Sequence, residues 1–113
     1  MKIATLKTSN SIREELIAHL VESILFDYIN ISEEMTLLAN EEFYLRTTSD
    51  QLNVIIIRSV GAFLVIDLVG GGGAAGLFRM TWGSEGAFVK KTVKLLQEFC
   101  QVQGETIELM ADT

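Results

Sequence analysis

The stretch that decides the fold runs from Leu52 to Val69, LNVIIIRSVGAFLVIDLV, and the glycine run 70–73 follows it directly. It predicts two apolar strands joined by a turn near Val60 and Gly61. A hairpin with one face in water alternates polar and apolar residues, whereas these strands are apolar at nearly every position. We therefore expect the pair to form the buried centre of a sheet, with helices on one face and another covering on at least part of the other.

The turn position fixes which residues of the hairpin share a face. A turn centred between Val60 and Gly61 places residue 58 opposite 63 and residue 54 opposite 67. One face then carries Ile55, Ile57, Leu64, Ile66 and Leu68, which is the better core. The other face carries Val54, Ile56, Arg58, Phe63, Val65 and Asp67. In this register Arg58 and Asp67 lie about 13 Å apart along the strand, too far for an ion pair.

Two segments have the apolar period of amphipathic helices. The first begins at Ser11, at capping-box spacing from Glu14, and extends to about Tyr28. The second extends from about Glu85 to Val102, and Gly104 suits its C-terminal end. Each segment has one wide apolar stripe, so we expect both helices to pack on the same face of the sheet.

Shorter strands are expected outside the hairpin. Residues 42–48, 77–82 and 105–110 have strand-like composition, and residues 3–6 can add a short edge strand. The pattern of residues 30–40 fits two alternatives, a short helix and a loop that leads into a strand.

Together these segments predict one α+β domain over residues 1–113. It is a sandwich with a largely antiparallel sheet of about four to five strands, two amphipathic helices on one face, and the order α-β-β-β-β-α-β.

Composition narrows the function classes. The net charge of -6 argues against direct binding of nucleic acid, which needs clustered lysine and arginine. The single cysteine, Cys100, excludes an internal disulfide and fits a reducing cytosol. The first ten residues lack the apolar core of a secretory signal, and no apolar run reaches the roughly 18 residues that a membrane-spanning helix needs. We expect a cytoplasmic protein without a membrane partner.

The mean hydropathy of +0.33 is high for a small acidic chain. It favours burial of apolar surface against another chain, either a second copy in a homodimer or a different protein.

The glycine run matches the dinucleotide-binding pattern G-x-G-x-x-G at Gly71, Gly73 and Gly76. That pattern should open a helix, whereas the residues that follow favour a strand, and too few remain to complete a dinucleotide fold. A flexible connection is the commoner explanation, and no cofactor is expected. If the loop does bind a phosphate-containing ligand, Arg79 and Lys90 are the expected cationic partners.

An acidic segment and one aromatic residue are the candidate contacts for a protein partner. The acidic residues are Glu33, Glu34, Glu41, Glu42 and Asp50. They could meet a basic protein surface, although solubility is the commoner reason for such charges. Trp82 is the candidate apolar contact.

No catalytic or metal-binding constellation is recognisable in the sequence. His19 is the only histidine and has no neighbouring cysteine, so it forms no metal site or triad. Cys100 falls on the inward face of its helix, where a thiol is usually a small apolar residue. We expect a non-catalytic binding module that occupies a partner's surface, as an inhibitor, an immunity-type protein or a chaperone does. The alternatives are a small-molecule binder or enzyme that uses the loop 70–76, and a structural subunit of a larger assembly.

Overall fold

The structure is a computed structural model that describes residues 1–44, 49–72 and 84–113. These residues form six strands and two α-helices: β1 (Lys2–Ser9), α1 (Arg13–Ser23), β2 (Tyr28–Ile31), β3 (Met35–Tyr44), β4 (Ser49–Val60), β5 (Phe63–Gly72), α2 (Ser84–Gln103) and β6 (Ile107–Asp112). All neighbouring strands are antiparallel, in the order β2-β3-β4-β5-β1-β6. The α+β class with an antiparallel sheet is confirmed, whereas the expected four to five strands and the helix-first order are wrong in detail.

The first strand accounts for the difference in order. Residues 3–6 were expected at most as a short edge strand, but β1 lies inside the sheet between β5 and β6. Its alternating pattern turns Ala4, Leu6 and Thr8 inward, where they are buried. The Thr8 hydroxyl donates a 2.7 Å hydrogen bond to the carbonyl of Thr106 and so ties β1 to the start of β6.

The first helix begins and ends differently from the prediction. A 3₁₀ turn over Asn10–Ile12 comes first, in which the Ser9 hydroxyl accepts a hydrogen bond from the amide of Ser11. No side chain caps α1, so the capping box expected between Ser11 and Glu14 does not form. The helix ends at Ser23 rather than Tyr28 because the chain already leaves it to form β2.

Residues 30–40, for which the sequence left two alternatives, form the end of β2, a turn over residues 32–34 and the first part of β3. β2 ends at Ile31, and β3 begins at Met35 and continues through the start of the strand expected at 42–48. The strand expected at 77–82 lies outside the described residues. The predictions for α2 and Gly104 hold, since α2 ends at Gln103 and Gly104 has a φ of 72°.

The two sheet faces differ in what covers them. The inward residues of the sheet and both helices form one core, which includes Leu6, Leu38, Ile55, Ile57, Ile66 and Leu68 from the strands and Leu16, Leu20, Val89 and Leu96 from the helices. We call the opposite side the open face. The core face predicted for the hairpin is confirmed, because Ile55, Ile57, Leu64, Ile66 and Leu68 are all fully buried.

The register of the hairpin is shifted by two residues from the prediction. The loop is Gly61 and Ala62, with Val60 opposite Phe63 and Arg58 opposite Val65. Gly61 has a φ of 60°, a conformation that glycine adopts without strain. A shift of two residues leaves each side chain on the same face, so the faces were predicted correctly while the pairs were not.

Candidate functional site

Strand β2 forms one outer edge of the sheet and is exposed along its whole length. Five of the twelve exposed large hydrophobic side chains in the described part of the chain lie in or beside it: Leu25, Tyr28, Ile29, Ile31 and Met35. We call these five residues the β2 edge. Leu25 is the most exposed of them, at 88%. Single exposed hydrophobic residues need no explanation, but a cluster along an edge strand is typical of an interaction surface.

The connection between β2 and β3 is a tight turn that carries Glu33 and Glu34, which we call the acidic turn. Ser32 closes it, because its hydroxyl accepts a 3.2 Å hydrogen bond from the Met35 amide. Arg13 of α1 holds the turn against the helix by donating hydrogen bonds to the Ser32 carbonyl and to the Thr36 hydroxyl. Both glutamates are exposed on a turn whose backbone is fixed, and the nearby Arg13 charge partly offsets theirs.

The start of β2 is also held in place by hydrogen bonds. The amide of Asp27 donates to the carbonyl of Ala39, and the Asp27 carboxylate accepts a 2.9 Å hydrogen bond from the amide of Glu41. Asn40 donates a 3.0 Å hydrogen bond from its side-chain amide to the carbonyl of Leu25. The β2 edge is therefore preorganised by contacts to α1 and β3.

The acidic residues expected to form one surface are split along β3. Glu33 and Glu34 lie at its start, whereas Glu41 and Glu42 lie seven or eight residues further, which is about 25 Å along a strand. Asp50 of β4 lies opposite Phe43 of β3, so it is close to Glu41 and Glu42. The structure brings Glu41, Glu42 and Asp50 to one end of the sheet, and it places the acidic turn at the other.

Glu42 has a structural contact that the sequence did not indicate. Its carboxylate accepts a 2.8 Å hydrogen bond from Asn53, which also donates to Asn40. Gln51 in turn donates to the carbonyl oxygen of the Asn53 side chain. We call Asn40, Gln51 and Asn53 the amide cluster, and all three residues are buried. The hydrogen bond from Asn40 to the carbonyl of Leu25 connects this cluster to the β2 edge.

The residues of the ligand-binding alternative do not form one site in the described part of the chain. Gly71 pairs with Leu52 on the open face, whereas Lys90 lies on α2 on the other side of the sheet. Gly73, Gly76 and Arg79 lie outside the described residues, as does Trp82 of the partner-binding prediction.

A groove of about 990 Å³ runs along α2. The lysines that line it are Lys90, Lys91 and Lys94 from the helix and Lys2 from β1. Lys2 is already paired with Asp112 of β6, whose carboxylate contacts its ammonium group. The remaining lysines give this groove a positive charge in an otherwise acidic protein.

His19 and Cys100, the two residues considered for chemistry, both pack against neighbouring elements of the fold. The ring of His19 stacks on that of Phe99, with centroids 4.7 Å apart, and so packs α1 against α2. Cys100 is fully buried with its sulfur 3.9 Å from the Thr8 hydroxyl. Burial raises the pKa of the Cys100 thiol, which outweighs the opposite effect of the contact with Thr8; the carboxylate of Glu105 raises it further. A thiol in this state is a poor nucleophile.

Within residues 1–44, 49–72 and 84–113, no group of three or more histidine, cysteine, aspartate or glutamate side chains could hold a metal ion. No helix in those ranges is long and apolar enough to cross a membrane.

Sequence reasoning missed the β2 edge because Ile24, Leu25 and Tyr28 continue the apolar period of α1. The signal that could have separated them is the loss of that period in the run 28–31, which contains two β-branched residues. Comparison of the chain with family models, with curated proteins and with solved structures finds no match.

Proposed function

We propose that this protein is a non-catalytic binding module that holds an extended, basic segment of a partner protein along β2. The observation that carries the proposal is that all four residues of this edge strand are exposed and three of them are large hydrophobic side chains. Inhibitors, immunity-type proteins and chaperones act by such occupation of a surface.

An edge strand offers a row of backbone amide and carbonyl groups to a further strand. Many proteins block such edges with lysine, proline or a bulge, and the sequence Tyr-Ile-Asn-Ile of β2 contains no lysine or proline. An added strand would gain hydrogen bonds worth about 1 kcal/mol each, and its side chains would alternate between the two sides of the sheet. Ile29 and Ile31 would contact the side chains of the added strand on one side of the sheet. Tyr28 would contact those on the other side, because neighbouring strand residues point to opposite faces.

Charge determines which partner fits this edge. Glu33 and Glu34 lie directly beyond β2, so lysine or arginine at one end of the partner segment would lie close to them. Each such exposed pair contributes less than about 1 kcal/mol but raises the association rate, and it disfavours acidic segments.

The test is quantitative co-purification from the native host with a matched pair of charge-reversed variants. Glu33→Lys with Glu34→Lys reverses the acidic turn, and Glu14→Lys with Glu15→Lys makes the same change of charge on exposed positions of α1. We expect recovery of the partner to fall at least about tenfold for the first variant and to stay near the wild-type level for the second. Equal recovery from both variants would refute binding at this edge.

The acidic turn is a sharper target than Glu42 for this experiment. Reversal of Glu42 would also remove the acceptor of the Asn53 hydrogen bond and so disturb the fold. The variant Ile29→Lys adds an independent test, because a lysine on the edge strand blocks strand addition without changing the acidic turn.

A second function, binding of a phosphate-containing small molecule, is supported by the lysine-lined groove along α2. Lys90 and Lys94 are the cations that would contact the phosphate. Isothermal titration with ATP and with inorganic phosphate should then show binding that Lys90→Ala with Lys94→Ala abolishes. The control is Lys7→Ala, because Lys7 lies on β1 outside this groove, over the ring of Phe63. Absence of any heat of binding to the wild type would remove this alternative.

A further inference from the structure

The open face of the sheet is largely apolar although both helices pack on the other side. On β4 every open-face residue except Arg58 is aliphatic within the range 52–60, and on β5 the apolar open-face positions are Phe63, Val65 and Val69. Leu52 and Val60 are each 51% exposed and Phe63 is 48% exposed. We propose that this face is the interface of a homodimer, in which it packs against the same face of a second copy of this chain.

The charges at the centre of the open face are matched to one another, which favours a second copy as the occupant. Glu41, opposite Leu52, adds a negative charge only at the end of this face. The Arg58 guanidinium lies 3.5 Å from the Asp67 carboxylate, which also accepts a 2.7 Å hydrogen bond from Thr5. Lys7 and Glu108, opposite each other on β1 and β6, add one charge of each sign. The centre of the face therefore has no net charge in a protein whose total is -6.

A strongly acidic protein repels a copy of itself through most of its surface, and long-range repulsion is weakest where local charges cancel. A basic partner, in contrast, would be attracted to the acidic turn and not to this face. In a two-fold symmetric interface, a residue i of one copy contacts a residue j of the other copy, and residue j of the first copy contacts residue i of the second. A face that carries both Arg58 and Asp67 can then match its own charges across the interface.

The size of the face also fits a dimer. Strands about 4.8 Å apart with a rise of about 3.3 Å per residue give this six-stranded sheet a face of roughly 800 Å². The area of this face is therefore close to the surface of about 800 Å² that each partner buries in a stable interface of standard size. Two such sheets pack face to face about 10 Å apart, as in β-sandwiches.

Sedimentation velocity on wild-type protein and two lysine variants tests this proposal. Ile56→Lys places a charge at the centre of the face. The control, Val102→Lys, replaces an aliphatic residue of α2 that is 84% exposed. Ile56 lies opposite Asp67, so the new ammonium group has a carboxylate beside it in the free monomer and the fold should persist. Thermal melting followed by circular dichroism checks the fold of both variants.

We expect the wild type and Val102→Lys to have the mass of two 12.5 kDa chains and Ile56→Lys to dissociate with a Kd at least about 100-fold higher. If Ile56→Lys fails to fold, Leu52→Lys replaces it, because Leu52 is half exposed and lies opposite Glu41. A wild type that stays monomeric overturns the proposal. A dimer that the folded lysine variant leaves unchanged also overturns it, because the copies would then meet through another surface such as a strand edge.

Discussion

The guanidinium of Arg58 lies 3.5 Å from the carboxylate of Asp67 on the open face, where Thr5 donates a hydrogen bond to the second carboxylate oxygen. The two residues are diagonal neighbours across the central hairpin, because Asp67 lies opposite Ile56 and Arg58 lies opposite Val65. The register of the hairpin therefore decides whether the open face carries two separate charges or one matched pair. In the proposed homodimer, the matched pair would leave no net charge at this point of the interface.

The first prediction concerns the strength of the Arg58–Asp67 pair. Both side chains keep contact with water, at 48% and 24% exposure, so the coupling between them in the monomer should be below about 1 kcal/mol. A double-mutant cycle with Arg58→Gln and Asp67→Asn, followed by urea denaturation at low protein concentration, measures it. The same cycle at a concentration where the protein is dimeric should give a larger coupling, because the pair then loses water. A coupling of equal size in the two conditions contradicts burial of this pair in a dimer.

The second prediction concerns the amide cluster. Asn53→Ala removes donors to Asn40 and Glu42 and the acceptor for Gln51, so one polar group of the buried Asn40 and one of the buried Gln51 lose their partner. We expect the free energy of unfolding to fall by about 2–4 kcal/mol. The control is Asn30→Ala on exposed β2, where the lost hydrogen bond to the Tyr28 hydroxyl should cost no more than about 0.5 kcal/mol. Chemical denaturation compares the two, and similar losses would show that the cluster contributes no more than a surface contact.

The third prediction compares two glycines of α2 and its C-terminal cap. Gly104 has a φ of 72°, so Gly104→Ala should lower stability by about 1 kcal/mol. Gly86 lies within the helix, and no atom of the described residues lies within 4 Å of the position of an added methyl group, so Gly86→Ala should raise stability by roughly 0.5–1 kcal/mol. Thermal melting of both variants checks the opposite signs. A loss of stability from Gly86→Ala would contradict the regular helical conformation at that position.

The fourth prediction concerns the pH dependence caused by Cys100. Burial raises the pKa of this thiol above its ordinary value of 9.0, so between the two values the folded state keeps a proton that the unfolded chain has lost. The stabilisation is therefore fully present below the pKa of the unfolded thiol and decreases as the pH rises above it. Urea denaturation from pH 7 to 10 should show a steeper loss for the wild type than for Cys100→Ala. Parallel curves would contradict this.

Reaction of Cys100 with a thiol reagent gives an independent check of its burial. The wild type should react at least about 100-fold more slowly when folded than in urea, because attack requires exposure of the thiolate. Rapid reaction of the folded protein would show that the helix α2 opens readily around this residue.

Local patterns in the sequence predicted the parts of the fold that depend on local structure. The period of α2 and the stop at Gly104 were recognisable, and so were the two faces of the hairpin, since alternation along a strand assigns its faces whatever the register. Strand β1 was underestimated because its position inside the sheet depends on partners more than fifty residues away. The hairpin register was missed by two residues because apolar residues on both sides of Gly61 allow more than one turn.

The candidate site was predictable only in part. The acidic residues could be named from the sequence, but their division into two groups depends on the length of β3. The β2 edge was hidden by its continuity with the apolar stripe of α1. The amide cluster had one local signal, since Gln51 and Asn53 alternate in phase with the buried Ile55 and Ile57. Their partner Asn40 alternates in phase with the buried Leu38 on another strand, but this signal was hidden because the sequence left residues 30–40 open between a helix and a loop.

The measurement that tests the central claim most directly is native mass spectrometry of the protein purified gently from its own host. The account predicts an assembly whose mass equals copies of the 12.5 kDa chain plus one further polypeptide, and loss of that polypeptide when Glu33 and Glu34 are both replaced by lysine. Copies of this chain alone, carrying only the additional mass of a small molecule, would contradict a protein-binding function and favour the lysine-lined groove along α2 as the functional site.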